Sequence, residues 1–153
     1  MEGPAASDEQ IELISFEIAD QSFCIDIRHV REIRCWSPAT PIPHAPPAIL
    51  GVINLRGSVM AVVDLRSHLG LGTTEPTTRH VIVVIQDGDR VAGVLVDAVQ
   101  ETFQTKASLL QPPPTTGDSS SLTFVDAILP LEGRMMSRLV VASLLPPETR
   151  LAA

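Results

Sequence analysis

One pattern occurs twice in this chain. Val52-Ile53-Asn54-Leu55-Arg56-Gly57-Ser58-Val59-Met60 is matched further on by Ile128-Leu129-Pro130-Leu131-Glu132-Gly133-Arg134-Met135-Met136, at an offset of 76 residues (133 − 57 = 76). Each copy is an apolar run, a Leu-charged-Gly turn and a second apolar run. Two strands joined by a tight turn read this way, with glycine supplying the positive φ that the turn needs. Downstream, Leu65, Ser67 and Leu69 fall on Val141, Ser143 and Leu145. A chain that carries one unit twice is expected to form two small barrels or sheets of similar build.

The repeat continues upstream. Ile27-x-x-Val30-x-Glu32 has a partner in Val96-x-x-Val99-x-Glu101, at an offset of 69 (96 − 27 = 69). A candidate hairpin precedes each: strands at 13–18 and 23–27 about the turn 19–22, and strands at 81–85 and 91–96 about the turn 86–90. The second turn holds Asp87-Gly88, a strong short-range hairpin signal. A proline-rich crossing follows each Glu, at 38–47 and at 112–114, and proline keeps such segments out of sheet interiors. Residues 115–121 lengthen the second crossing and account for the unequal offsets. Each half thus reads as hairpin, short helical turn, crossing and hairpin, with about five strands apiece. The expected organisation is a tail at 1–10, a first barrel at roughly 11–75, a second at roughly 76–146 and a tail at 147–153.

A barrel of half this length has a marginal core by itself, so the halves are expected to share buried surface. The apolar fraction of 44% is rich in branched aliphatics, while aromatics make up 3%, which favours β-structure over a platform for stacking bases. Eleven Lys plus Arg against 18 Asp plus Glu give a net charge of −7, and Lys106 is the sole lysine. Nothing here tracks a phosphate backbone, so nucleic acid and an anionic membrane surface are not expected partners. No apolar run reaches the about 18 residues of a spanning helix, and the acidic start (Glu2, Asp8, Glu9) does not read as a signal peptide. A cytoplasmic protein with Cys24 and Cys35 as free thiols is expected.

Chemistry-bearing patterns are sparse. The histidines at 29, 44, 68 and 80 form no ligand pair, and no nucleophile elbow, P-loop or dinucleotide fingerprint occurs. Asp64 and Asp97 close apolar strands, where a carboxylate serves a turn or cap far more often than catalysis. Val30 and Ile33, three apart on the expected helical turn, read as core. Neither a catalytic site, nor a metal, nor a cofactor is expected, and a small β-barrel enzyme would need converging polar groups that the sequence does not offer.

What remains is a pair of barrels with polar hairpin tips, and three segments carry a likeness. Phe23-Cys24-Ile25-Asp26-Ile27-Arg28-His29-Val30-Arg31-Glu32-Ile33, the stretch from Pro46 through Gly51-Val52-Ile53-Asn54-Leu55-Arg56-Gly57 to Arg66, and Val91-Ala92-Gly93-Val94-Leu95-Val96-Asp97-Ala98-Val99 resemble the CheW family, in order, from about Glu12 to Leu145. The resemblance implies a mainly β fold of two SH3-like, five-stranded barrels sharing a core, with short helical segments. It implies a non-catalytic chemotaxis adaptor that couples the cytoplasmic tips of transmembrane chemoreceptors to the regulatory domain of the histidine kinase CheA. Such an adaptor is recruited to membrane-associated arrays and meets other CheW-like domains in rings. The alternative within the family is an adaptor of a non-flagellar pathway, such as pilus motility. Carried over by residue, Glu32 and Arg56 match a pair near the receptor groove and Val30 a position linked to receptor contact, whereas Gly51 and Gly57 match backbone positions. An aliphatic patch on each barrel is expected to dock the kinase. Two departures stand out: Met136-Ser137-Arg138-Leu139 interrupts an apolar strand, so Arg138 is expected at a strand edge or the strand shortened, and Asp126-Ala127 replaces a leading glycine.

Overall fold

The computed structural model describes residues 9–113 and 124–146. The expected flexible stretch 115–121 and the tail 147–153 lie outside these residues, as does most of the tail 1–10. Within that last range Gln10 already begins the first strand.

Ten strands form two five-stranded sheets. β1 (Gln10–Ile18) and β2 (Gln21–Asp26) make the first hairpin, a single 3-10 turn (Ile27–His29) follows, and β3 (Val30–Cys35) completes the first run. After the proline crossing come the hairpin β4 (Ile49–Leu55) and β5 (Ser58–Asp64), then helix α1 (Leu65–His68). The second half repeats the plan with β6 (Val81–Asp87), β7 (Arg90–Val96) and β8 (Ala98–Lys106). The hairpin β9 (Val125–Leu131) and β10 (Arg134–Leu139) and helix α2 (Val141–Leu144) then close the fold.

The sheets are ordered β8-β1-β2-β10-β9 and β3-β6-β7-β5-β4. Adding five to each strand number of the second order, and counting past ten back to one, reproduces the first. The repeat read from the sequence is therefore a repeat of topology. It holds at the level of single bridges: Thr40 pairs with Val52, and Gln111 pairs with Ile128, 76 residues after Val52. The parallel pairs obey it too, with Val62 opposite Gly93 in β5–β7 and Arg138 opposite Cys24 in β10–β2.

The partition of strands corrects the expected boundary between 75 and 76. Neither sheet is built from one half. The hairpin β1–β2 sits between β8 and β10 of the second half, and the hairpin β6–β7 sits between β3 and β5 of the first. Each half lends its first hairpin to the other. The reason is the parallel contact at β5–β7 and at β2–β10, because a tight turn cannot join parallel neighbours and the partner must come from a distant part of the chain.

The core explains the unbroken apolar runs. Residues such as Ile82-Val83-Val84-Ile85 alternate between two buried destinations, since successive side chains of a strand point to opposite faces. Ile82 and Val84 join Ile53, Met60, Val62 and Leu95 inside the β3–β4–β5–β6–β7 barrel. Val83 and Ile85 face a central cluster that also takes Ile14, Phe16, Phe23 and Ile25 from the other sheet. A third, smaller cluster of Leu13, Cys24, Leu129 and Met136 fills the second barrel. The central cluster lies between the barrels, so the shared core is a physical fact of this fold.

Candidate functional site

Strand β3 is an edge strand of its sheet, and the local sequence explains how it starts. Asp26 caps the 3-10 turn, its carboxylate accepting the Arg28 N–H at 2.9 Å, and the chain leaves that turn extended at Val30. A bulge follows between Val30 and Glu32. Val30 then stands opposite Ile85, Glu32 opposite Val84 and Ile33 opposite Val83. Val30 and Ile33 accordingly share the face of the central cluster, and Glu32 and Arg34 the face of the barrel interior. This corrects the expectation that Val30 and Ile33 lie on a helical turn and are core. The turn ends at His29; Val30 is half-buried against the central cluster, and Ile33 is 47% exposed.

Glu32 meets Arg56 across the open side of this barrel. One Glu32 oxygen is bonded by Arg56 Nη2, and the other lies 3.3 Å from Arg34 Nη1. Arg56 reaches this position from the β4–β5 turn, where Arg56 and Gly57 both have positive φ (54° and 89°). Asn54 holds that turn, its Oδ1 accepting the Gly57 N–H at 2.8 Å. The hydrogen bond from Arg56, helped by Arg34, holds the Glu32 carboxyl below its ordinary value. The Glu32 side chain is less exposed than its partner, at 23% against 68% for Arg56. The structure thus brings two of the three expected contact residues into direct contact, with Val30 one bulge away on the neighbouring face. Gly57 lies in the turn itself. Gly51 has φ 148°, and a side chain there would overlap the Thr40 carbonyl, so its role is backbone approach.

The two-fold plan breaks at this site. Under the repeat, Glu32 corresponds to Glu101 and Arg56 to Glu132. Two acids cannot make the ion pair, so the β1–β2–β8–β9–β10 barrel has no equivalent of it.

The second barrel carries its own charge pair elsewhere. Arg138 Nε lies 2.9 Å from Asp126 Oδ1, across a bulge that leaves Asp126 unpaired in the ladder. Their counterparts in the first barrel, Val62 and Leu50, make an apolar pair in the interior cluster. The two departures noted from the sequence are one exchange of an apolar pair for an ionic one. Of the two alternatives expected for Arg138, the edge position is overturned, because β10 lies between β2 and β9, while the shortened strand is observed, six residues against seven in β5. Beneath this pair, burial pushes the Cys24 thiol up to about 12, whereas Cys35 is exposed.

Sequence reasoning did not single out the exposed apolar side chains. Val59 (64% exposed) and Met135 (68%) are the most exposed large apolar residues described. They occupy equivalent places in β5 and β10, opposite Asn54 and Pro130. Each sits inside an apolar run, and only hairpin register shows which member points outward. Neither strand-closing acid caps its own turn as expected: Asp64 makes no side-chain bond to the helix that follows and instead accepts from Thr74 N–H and Oγ1 at 2.8 and 2.7 Å, and Asp97 accepts the N–H of Ala19, in the turn of the first hairpin, at 2.9 Å. No three His, Cys, Asp or Glu side chains converge as metal ligands among the described residues.

Comparison with known proteins decides the family, because the CheW-like domain matches residues 12–148, both barrels included. The chain belongs to the CheW-like domain family. Chemotaxis protein CheW of Rhizobium meliloti (strain 1021) is 48% identical to it, over 93% of this chain and 92% of its own length. Chemotaxis protein CheW of Bacillus subtilis (strain 168) is 28% identical over 92% and 90% of the two chains. Among solved structures, the scaffolding protein TtCheW from Thermoanaerobacter tengcongensis superposes with a TM-score of 0.79 at 28% identity, covering 86% of this CheW-like chain and 90% of that one. The mainly β, two-barrel architecture is shared with that scaffold.

Proposed function

We propose that this chain is a chemotaxis adaptor that couples the cytoplasmic tips of transmembrane chemoreceptors to a CheA-type histidine kinase. The observation that carries this reading is the match along both barrels to relatives named chemotaxis protein CheW. Those names favour chemotaxis over a pilus-type output. The reading assigns no catalytic step and no cofactor: function lies in holding two partners in a fixed geometry, by surface complementarity and by raising their effective concentration. No helix among the described residues is long and apolar enough to cross a membrane, and on this reading the adaptor joins the receptor array through its partners.

The receptor site is assigned to the β3 side of the first barrel, with Val30 and Ile33 as its apolar contacts and the Glu32–Arg56 pair fixing the shape of its border. The kinase and neighbouring CheW-like domains are assigned to the exposed aliphatic side chains, Val59 on one barrel and Met135 on the other. The test measures binding of the full chain to a receptor cytoplasmic fragment and, separately, to the kinase regulatory domain. Arg56→Glu places two like charges together and should weaken receptor binding about tenfold or more while sparing the kinase. Val59→Asp should do the reverse. A wild-type chain that bound neither fragment, where a CheW of known activity binds both, would end the adaptor reading.

A further inference from the structure

The two halves interlock through their hairpins, yet only one short stretch of chain joins them. That stretch is pinned on both sides. Up to residue 74 it belongs to the first half, because Thr74 N–H and Oγ1 both donate to the buried Asp64 carboxylate. From residue 77 it belongs to the second, because the Thr77 N–H donates to His80 Nδ1 at 3.0 Å and His80 Nε2 lies 3.5 Å from Asp97 Oδ1. Between these pins lie Glu75, which is exposed, and Pro76. Neither makes a hydrogen bond or ion pair with another described residue. The other contacts between the halves are non-covalent, chief among them the parallel ladders β5–β7 and β2–β10, the antiparallel ladders β3–β6 and β1–β8, and the central cluster.

We propose that two copies of this chain exchange halves through a hinge at Glu75–Pro76, giving a dimer in which each pair of barrels combines residues up to 74 of one copy with residues from 77 onward of the other. All contacts within a two-barrel unit survive the exchange, and both pins survive it as well, since each is contained within one half. What changes is closure. A short linker presents one half to the other at an effective concentration of about millimolar, so the closed monomer dominates when folding takes place at micromolar protein. The hinge from Thr74 to Thr77 spans at most about 11 Å, so the two units must sit close together on the side where residues 74–77 run. Interconversion requires breaking the central cluster, so either form, once folded, persists.

The experiment uses the full chain, refolded from denaturant at about 10 µM and again toward about 1 mM, with mass read by light scattering after size exclusion. A second chain lacks Glu75 and Pro76. Joining the two pins directly disfavours closure, whereas two units remain free to approach, so this chain is expected to be dimeric at both concentrations. A variant carrying Arg138→Cys and Cys35→Ser reports which chain supplies each half. Cys24 and position 138 are register partners in β2 and β10, at about 4.8 Å between neighbouring strands and within disulfide reach. Refolded in a glutathione redox buffer, exchanged dimers of this variant run as covalent dimers on a non-reducing denaturing gel. Dimers of closed monomers run as single chains. A dimer fraction that rises at least severalfold with refolding concentration, joined covalently through position 138, is the expected result. Monomers alone from the wild type even toward millimolar, or dimers whose oxidised chains migrate singly, would overturn the proposal.

Discussion

Two arginines from different elements hold Glu32 charged: Arg56 from the hairpin turn and Arg34 from its own strand. A carboxyl whose folded pKa lies below its unfolded value contributes its pairing fully above that unfolded value. The contribution is lost as pH falls through the lower, folded one. The geometry at Glu32 is therefore expected to persist through mildly acidic pH and to fail below the ordinary glutamate value of 4.5. An NMR titration of the Glu32 side-chain carboxyl carbon checks this, with Arg56→Gln moving the midpoint upward. A wild-type midpoint at or above 4.5 would remove the ion pair from the account. Glu32 and Arg56 are 24 residues apart, on elements that carry no local sign of meeting. Likeness to a family brought them together, not spacing. Val30 and Ile33 were misplaced for a related reason. Their separation by three is a helical interval, but the true helical turn ends at His29, before either of them, and a bulge at Arg31 restores them to one face of a strand.

At the scale of elements, the two β-hairpins that repeat most clearly differ inside. Leu50 and Val62 in one barrel are replaced by Asp126 and Arg138 in the other, at matching places beside matching bulges. Because the second pair is partly exposed, its net contribution is modest, in the range of about 0–1 kcal/mol. The coupling is the informative quantity. Asp126→Leu alone leaves Arg138 against an apolar neighbour, and Arg138→Val alone leaves the carboxylate without its partner. Asp126→Leu with Arg138→Val restores the arrangement of the first barrel. The double variant is expected to be more stable than the sum of the single effects by at least about 0.5 kcal/mol, measured by urea denaturation in a double-mutant cycle. Additive behaviour would show that the two positions do not sense each other. The hairpins were legible because their signals are local: alternation, a glycine or Asp-Gly turn, and polar tips. Met136-Ser137-Arg138 looked like a defect because its complement, Asp126, lies on the facing strand, ten or more residues away in sequence.

At the scale of the molecule, the barrels cannot be separate folding units, since each sheet contains strands of both halves. Ile85 sits in the central cluster that joins them. Ile85→Ala is expected to cost about 2–5 kcal/mol and to lower the stability of both barrels together. The fluorescence of Trp36, the sole tryptophan, which packs against the interior of one barrel, should then follow the same unfolding curve as far-UV circular dichroism. Two separated transitions would show barrels that melt independently. The exchange of hairpins was not legible in the sequence. A strand's own residues specify how it is buried, here on both faces, but not which distant edge it pairs with. The nearest partner in sequence was the natural expectation, and the parallel ladders overrule it.

That interlocking has a bearing on ancestry. Two identical chains of about half this length, each lending its opening hairpin to the other, would produce the same arrangement of ten strands. A pair of that kind is bound by its symmetry to show one face twice, because any change in one copy appears in both. Joined into a single polypeptide, the copies are released from each other. Arg56 can stay beside Glu32 while its counterpart becomes Glu132, and Leu50 and Val62 can remain greasy while Asp126 and Arg138 turn ionic. Fusion gives a symmetric body a front and a back, which is what a molecule needs if it is to stand between two different neighbours.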